Sequence, residues 1–532
     1  MRFFKRGGAV KMKKFNVTGT CIPAENYMVD ISGKLEKIMK LIDDGCYFTI
    51  NRARQYGKTT TLSRIHNTLP AEYICARISF EGLGDESFDS QEKFCPTFIG
   101  RIVSALRFSS ATKEYREKWA DYNISDFNSL SEHITNMCED KKVILIIDEV
   151  DRTSHNNVFL GFIGMLREKF LLRREGMDYT FHSVILAGVY DIKNIKLKLM
   201  SEGKYTPTVT ENKTYNSPWN IAVDFDIDMS FSPAEISTML KEYEAEHNTD
   251  MDITIIAEEI YSYTSGYPFL VSRICQHIDG KLEKNWTAAG VLEAVKIILL
   301  EANTLFDDVF KNLENNKELH DFIYSLLIVG EAGNFVIDDP IISIGLMYGF
   351  LKKDNDRVVI ANKIFETRIS NYFISKDSRN KKQTASVLQR DVVKDGRFDM
   401  ELCLRKFADH YAEIFNENDG KFLERHGRLI FLSYLRPLIN GQGFYHIESQ
   451  FTDLRRMDIV VDFGRDQFII ELKLWKGEEA EHKAYTQLLG YMENKKAEAG
   501  YLLTFDFRKE KNKQPKAEWV DINGKNIFEV IV

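Results

Sequence analysis

Short unbroken apolar runs alternate with longer periodic stretches through the first part of the chain. Tyr47-Phe-Thr-Ile-Asn51 reads as a buried strand, followed by a polar loop and a helix from near Lys58 to Leu69. A second strand over Tyr73 to Phe80, a third over Lys142-Val-Ile-Leu-Ile-Ile-Asp-Glu-Val-Asp151, a helix from about Asn156 to Arg174 and a strand over His182 to Val189 continue the alternation. Runs this apolar suit strands covered on both faces, so the pattern predicts a parallel α/β sheet. From Ser232 to about Glu314 the periodicity is almost wholly helical, opening on a capping box, Ser232-Pro-Ala-Glu235, with proline at the first helical position. Leu319 to Phe373 mixes helical stretches with a hairpin-like segment over Gly349 to Ile360. Ser375 to Lys394 is polar and poor in aromatics, as a linker is. Two helical stretches and alternating strands from Gly443 then form a new α+β pattern. The expected division is a sheet core over 15–231, a helical lid over 232–314, a small winged-helix-like unit over 315–375, a linker over 376–395 and a C-terminal domain over 396–532.

Composition narrows this without redirecting it. The 532 residues imply about three or four domains. With 44% hydrophobic and 28% charged residues the chain has an ordinary globular composition. No apolar run reaches transmembrane length, and the basic start, Arg2, Lys5 and Arg6, leads into Gly7 and Gly8 rather than an apolar signal segment. The expectation is a cytoplasmic protein with no membrane partner. Met12 is an equally good start to the chain. The seven cysteines are scattered and never in Cys-x-x-Cys, which argues for reduced, mostly buried thiols and against structural zinc. The histidines have no metal-ligand spacing. Net charge is −8; basic and acidic residues are equal in number from Lys381 onward, so the acidic excess lies before it and any polyanion must meet a local patch.

The first constellation with chemistry is Arg52-Ala-Arg-Gln-Tyr-Gly-Lys-Thr-Thr60, between a strand and a helix. A phosphate site needs inward-facing amides, a lysine for the outer phosphate oxygens and a hydroxyl for Mg²⁺, all at a helix N-terminus. Gly57, Lys58 and Thr59 supply these. Asp148 and Glu149, ending an apolar strand, supply one carboxylate to hold Mg²⁺ and one to polarise attacking water. Taken alone, the two acids read better as an ordinary helix start, where acidic residues are favoured anyway. Together with Phe15-Asn-Val-Thr-Gly-Thr-Cys-Ile-Pro23, Tyr27-Met-Val-Asp30 and Gly266-Tyr-Pro-Phe-Leu270, the loop resembles the bacterial AAA-like ATPases over roughly 15–375. Arg52, standing where a first loop glycine is usual, matches that family's Arg-x-Arg-Gln form. The resemblance implies ATP and Mg²⁺ as cofactors, a lid carrying Gly266-Tyr-Pro268, a winged helix after it, and Walker roles for Lys58, Thr59, Asp148 and Glu149. Nucleotide-binding positions are then Arg54, Gln55, Tyr56, Gly57, Lys58, Thr59 and Thr60. Arg152, Arg167 and Arg273 are candidates to sense the γ-phosphate, although a surface or capping role is the stronger reading of each.

The second constellation is Arg456-Met-Asp458-Ile-Val-Val-Asp-Phe-Gly464-Arg465-Asp-Gln-Phe-Ile-Ile-Glu471-Leu-Lys473-Leu-Trp475. If Gly464-Arg465 is the hairpin turn, Asp458 falls opposite Glu471, and period two puts Lys473 on their face. The other face, from Ile459 to Leu474, is wholly apolar. Opposed carboxylates repel unless a divalent cation lies between them, and a neighbouring lysine can orient water and neutralise charge on a scissile phosphate. Asp, then Glu-x-Lys, then a helix resembles the PD-(D/E)xK nuclease fold over about 396–532. That resemblance adds Glu424 as a further metal ligand, beside Asp458 and Glu471, and Gln487 as a catalytic residue with Tyr491 one turn later. Mn²⁺ is an alternative ion at this site.

The expected fold class is therefore multidomain α/β: a P-loop NTPase parallel sheet with a helical lid, a winged-helix-like unit, and a C-terminal α+β restriction-endonuclease-like domain. The expected function is an ATP-binding and hydrolysing protein coupled to a metal-dependent nuclease, with nucleic acid as substrate or ligand, in bacterial defence or mobile-element biology. Homo-oligomerisation stays open. The rival is an ATP-dependent signalling or scaffold switch whose C-terminal domain binds nucleic acid or protein without cutting.

Overall fold

The computed structural model describes residues 12–532 apart from 121–122, 151–156, 190–218, 330–332, 337, 379–391, 395–396, 415–423, 440–442, 450–456, 465, 476, 496 and 507–515. The chain forms two compact units. One comprises Met1–Tyr261, Ser265–Gln276 and Asp338–Phe350; the other comprises Ser262–Thr264, His277–Ile337 and Leu351–Val532.

The first unit is built on a parallel sheet of β1 (Tyr47–Asn51), β2 (Tyr73–Ser79), β3 (Lys142–Asp148) and β4 (Ser183–Gly188), in the order β1-β4-β3-β2. β4 therefore lies between the strand that leads into the phosphate-type loop and the strand that ends at Asp148. Val143 to Ile147 and Val184 to Ala187 are fully buried, as two covered faces require. One face packs phenylalanines, Phe80, Phe94, Phe98, Phe159 and Phe162, into a single cluster. The helix Pro233–His247 begins on the expected capping box: Ser232 accepts from the Glu235 amide and Glu235 accepts from the Ser232 amide. The stretch from Ser232 is helical as expected, with helices at Pro233–His247, Ile253–Thr264, Pro268–Lys281, Ala288–Leu300 and Thr304–Asn315. It is divided between the units near Gln276.

In the second unit β5 (Gly333–Asn334), β6 (Leu351–Asp354) and β7 (Arg357–Ile360) form a three-stranded sheet in the order β5-β7-β6. The β6–β7 hairpin lies where alternation put it; β5 is too short to show in the sequence. The short strands β8 (Val393–Lys394) and β9 (Arg397–Phe398) were equally invisible. Most of the expected linker falls outside the described residues, and the helix Lys363–Ser378 runs into its start.

The C-terminal sheet is mixed: β10 (Gly443–Ser449), β11 (Met457–Phe463), β12 (Asp466–Leu474), β13 (Ala499–Phe505), β14 (Lys516–Ile522) and β15 (Lys525–Ile531), ordered β10-β11-β12-β13-β15-β14. The helices Met400–Ile414 and Glu424–Ile439 cover one face, where Phe407 and Tyr411 meet Phe505 and a methyl on Gly427 would strike the Phe505 ring at 2.5 Å. The helix Glu478–Lys495 covers the other, packing Ala484, Leu488, Tyr491 and Met492 on Ile469, Leu502 and Ile527. No helix among the described residues is long and apolar enough to cross a membrane.

Candidate functional sites

The loop after β1 is shaped by its backbone. Gln55 and Gly57 both take positive φ, 58° and 77°, a conformation that only glycine adopts without cost. Gly57 is the N-cap of the helix Lys58–Thr68, and no side chain caps that end. The first-turn amides are therefore presented to the loop's interior, where an anion is favoured. Lys58 is 7% exposed, and its ammonium donates to the carbonyls of Arg52 and Ala53 at 2.8 and 3.0 Å. The lysine thus lies folded along the loop's concave side. Thr59 Oγ1 donates to Asp148 Oδ2 at 3.3 Å, joining the loop helix to the end of β3. Asp148 is buried, and burial raises its carboxyl above the usual range against the lowering pull of the Glu149 amide, Arg77, Lys58 and Thr59. Glu149 follows at φ 57°, so the chain turns sharply just after the strand. A hydroxyl and a carboxylate in contact beside an uncapped helix start are hard oxygen donors suited to Mg²⁺ and a phosphate chain.

Arg52 does not point into this cradle. Its guanidinium donates to the carbonyls of Asn51 and Ile227, at 2.8 and 2.7 Å, and lies over the Phe225 ring. The residue in the first-glycine position is an anchor for the loop. Tyr267 Oη donates to the Arg54 carbonyl at 2.6 Å and its ring meets Tyr56 edge-on at 4.7 Å; burial pushes the Tyr56 hydroxyl up to about 12. Gly266, at φ 72°, is indispensable here because a methyl on it would lie 2.0 Å from the Phe231 carbonyl. Thr60 Oγ1 accepts from the Cys21 amide at 3.2 Å. Gly349 packs on the loop from the segment before β6, where an added methyl would meet Ala53 Cβ at 2.8 Å.

Of the arginines considered as sensors, Arg167 donates to Asn220 at 2.8 Å and Arg273 to Gln276 at 2.6 Å, while Arg152 lies outside the described residues. Among the described residues, an arginine that the sequence did not single out reaches this site: Arg77 of β2 donates to the Thr59 carbonyl at 3.3 Å and acts electrostatically on Asp148. Its signal was a charge inside an otherwise apolar strand.

The second site rests on register. Ile459 pairs with Ile470, Val461 with Phe468 and Phe463 with Asp466, with Gly464 turning at φ 61°. This is the expected register, and its next step sets Asp458 at the level of Glu471. Arg465, and the side chains of Asp458 and Glu424, lie outside the described ones. Glu424 begins the helix that covers the sheet face opposite Glu471. Glu471 and Lys473 are 1% and 7% exposed and form an ion pair with each other. They lie under the helix Glu478–Lys495, which carries Gln487, half-buried, and Tyr491, buried. The polar face of β12 is therefore covered as fully as its apolar face. Glu471 offers a hard oxygen ligand with a cation beside it, a donor set that fits a divalent metal and a phosphate. Among the described residues no three His, Cys, Asp or Glu side chains converge to hold a metal. All seven cysteines are free thiols, five of them buried, in keeping with reduced side chains.

Comparisons with known proteins bear on both sites. The AAA-like domain family model matches residues 23–373, and the PD-(D/E)XK nuclease superfamily model matches residues 444–516. No curated protein matches the chain. Among solved structures, a Walker-type ATPase of Pyrococcus abyssi is similar at 12% identity and a TM-score of 0.47, over 67% of this chain and 99% of that one. The ORC2 protein of Aeropyrum pernix, in its ADPNP-ADP complexes, is similar at 13% identity and a TM-score of 0.37, over 68% and 98%. The RuvB Holliday junction branch migration motor of Thermotoga maritima is similar at 12% identity and a TM-score of 0.25, over 64% and 94%.

Proposed function

The chain belongs to the AAA-like domain family, and on that premise we propose that it binds and hydrolyses ATP in its first unit and cuts nucleic acid at Glu471 and Lys473. The observation that supports the cutting role is the buried Glu471–Lys473 pair, spaced by one residue on a central strand. A buried acid and base tied together cost desolvation, and their pairing on the polar face of β12 suits a reaction centre.

In the first unit the amides after Gly57, with Arg54, Gln55, Tyr56 and Thr60 lining the loop, hold the phosphates. Lys58 leaves the Arg52 and Ala53 carbonyls for the outer phosphate oxygens. Thr59 and Asp148 would hold Mg²⁺, and Glu149 would orient the attacking water. In the C-terminal domain Asp458, Glu471 and Glu424 would hold Mg²⁺ or Mn²⁺, which would supply a polarised water and charge neutralisation at the scissile phosphate. Lys473 stabilises the charge that develops there, and Gln487 orients the substrate. ATP binding in one unit gates cleavage in the other. The pairing of a nucleotide-responsive part with a cutting part suits bacterial defence or mobile elements in the cytoplasm.

The test is cleavage of labelled DNA and RNA in Mg²⁺ or Mn²⁺, with and without ATP, by the intact chain, Lys473→Ala and Lys58→Ala. Cleavage lost in Lys473→Ala, and an ATP effect lost in Lys58→Ala, are the expected results. ATP hydrolysis with no cleavage of any substrate overturns the nuclease reading; cleavage indifferent to ATP overturns the coupling.

A further inference from the structure

A second buried carboxylate lies on the same sheet face as Glu471, outside every motif. Glu529 of β15 is 2% exposed. Glu471 pairs with Leu502 on β13, and Leu502 pairs with Glu529 on β15, so the two acids share one level of the sheet with a single strand between them. Two inter-strand spacings put their backbones about 10 Å apart. Glu529 is held at both ends. Tyr485 Oη, on the helix Glu478–Lys495, donates to its Oε1 at 2.9 Å. Lys516 of β14 stands 3.6 Å from its Oε2 and 2.6 Å from Glu518, which is the residue paired across the strands with Glu529.

A buried acid in an apolar strand end, Ile527-Phe-Glu-Val-Ile531, is expensive and would pack better as a leucine if only stability mattered. Its position has a geometric consequence. The helix that covers Glu471 and Lys473 presses on the sheet at Gly500, where an added methyl would lie 2.6 Å from Met492 Sδ and 3.1 Å from Leu488. That close packing sets the helix's height on the sheet. The Tyr485–Glu529 hydrogen bond adds a directional constraint on the helix's rotation and its place along the sheet. Gln487 is two residues beyond Tyr485 on the same helix.

We propose that Glu529 is a positioning residue for the C-terminal site, acting through Tyr485 to fix the helix that carries Gln487 over Glu471 and Lys473. The inference rests on the nuclease reading of that site. Neither Glu529 nor Tyr485 touches the reacting phosphate.

The experiment uses the full chain and whichever labelled DNA or RNA it cleaves in Mn²⁺, with kcat and KM measured separately. Tyr485→Phe keeps the ring and removes the donor; it is expected to lower kcat about tenfold with KM within about twofold, since small misplacement of a positioned group costs turnover. Glu529→Leu should match it. Glu529→Gln retains an acceptor for Tyr485 and should restore kcat to within about threefold of the intact chain. In a Gln487→Ala background, Tyr485→Phe should cost nothing further, because both changes remove the same contribution. Full kcat in Tyr485→Phe, or losses that multiply with Gln487→Ala, overturns the inference. Should Glu529→Leu fail to fold, Tyr485→Phe and its combination with Gln487→Ala decide alone. Lys473→Ala separates the two levels: if it is inactive while Tyr485→Phe is fully active, only the positioning role falls. Cleavage that is absent, or indifferent to Lys473→Ala, removes the nuclease reading and this inference with it.

Discussion

The two candidate sites are made of different material. The loop site of the first unit is mostly backbone: two positive-φ positions before an uncapped helix, with Lys58 resting on the loop's own carbonyls. The site on β12 is mostly side chain: an acid and a base two residues apart, placed by strand register and covered by one helix. A backbone site keeps its shape while empty and fails when a conformation is forbidden. A register site keeps its shape as long as the sheet does and fails when a charge is lost.

Lys473→Ala should therefore have the largest effect, lowering cleavage by about 10³ while leaving ATP hydrolysis per chain unchanged. Parallel assays of the two activities check this, and an equal fall in both would mean that the sites do not separate. Lys58→Ala should weaken ATP about 100-fold, the scale of losing charge-assisted bonds to phosphate, as read by calorimetry. A scaffold change makes a useful contrast. Lys169, 1% exposed, is bonded to Thr135 and Asp178 at 2.6 and 2.7 Å. Burial pushes the Asp178 carboxyl up, but Lys169 and Thr135 more than offset it and leave it below the usual range. Asp178→Ala strands a buried ammonium and should cost about 3 kcal/mol in denaturant unfolding. The stability that this carboxylate contributes is present above the ordinary carboxylate range and is lost as pH falls through its depressed value.

Smaller still, Gly57→Ala and Gly464→Ala each force a side chain into left-handed backbone, at φ 77° and 61°, for about 1 kcal/mol. The first should also weaken ATP binding; the second should spare cleavage, because register is set by the whole strand pair. Equal functional losses would break the distinction between backbone and register. The mildest effect concerns pH. Asp148 is raised by burial, so protons compete for it above the ordinary carboxylate range. Mg²⁺-nucleotide affinity should start to fall on acidification sooner than a free carboxylate would predict, and Asp148→Asn should flatten that slope. For the protein without nucleotide the sign is opposite: the neutral form is favoured, and that advantage is lost as pH rises through the raised value.

Both sites could be located in the sequence because each lies where a simple period changes. β1 and β3 are largely apolar runs that stop at Asn51 and Asp148, and β11 and β12 alternate about Gly464 with Val460 and Ile469 interrupting the polar face. What could not be read was contact between distant residues. Nothing in the spacing tells that Arg52 turns away to Ile227 and Phe225, that Arg77 reaches Thr59, or that Glu529 meets Tyr485. Nor do Gln467, Glu471 and Lys473 on one strand face advertise that a helix will cover it. Strands of two residues, such as β5 and β8, hold too few positions for any period. The small packing at Gly349 against Ala53 is a matter of one methyl group, which no pattern of hydrophobicity records.

The division of the chain between the two units follows from the same packing. Asp338–Phe350 belongs with the phosphate loop's unit, yet the residues on either side of it belong with the other, as do Ser262–Thr264 within a helix of the first. The backbone thus changes allegiance five times along its length. Neither unit can be excised with a single cut, whereas the C-terminal mixed sheet, β10 to β15, lies wholly within the uninterrupted stretch Leu351–Val532. An engineer who wants the whole second unit must carry Ser265–Gln276 and Asp338–Phe350 of the first along with it, or redesign the crossings.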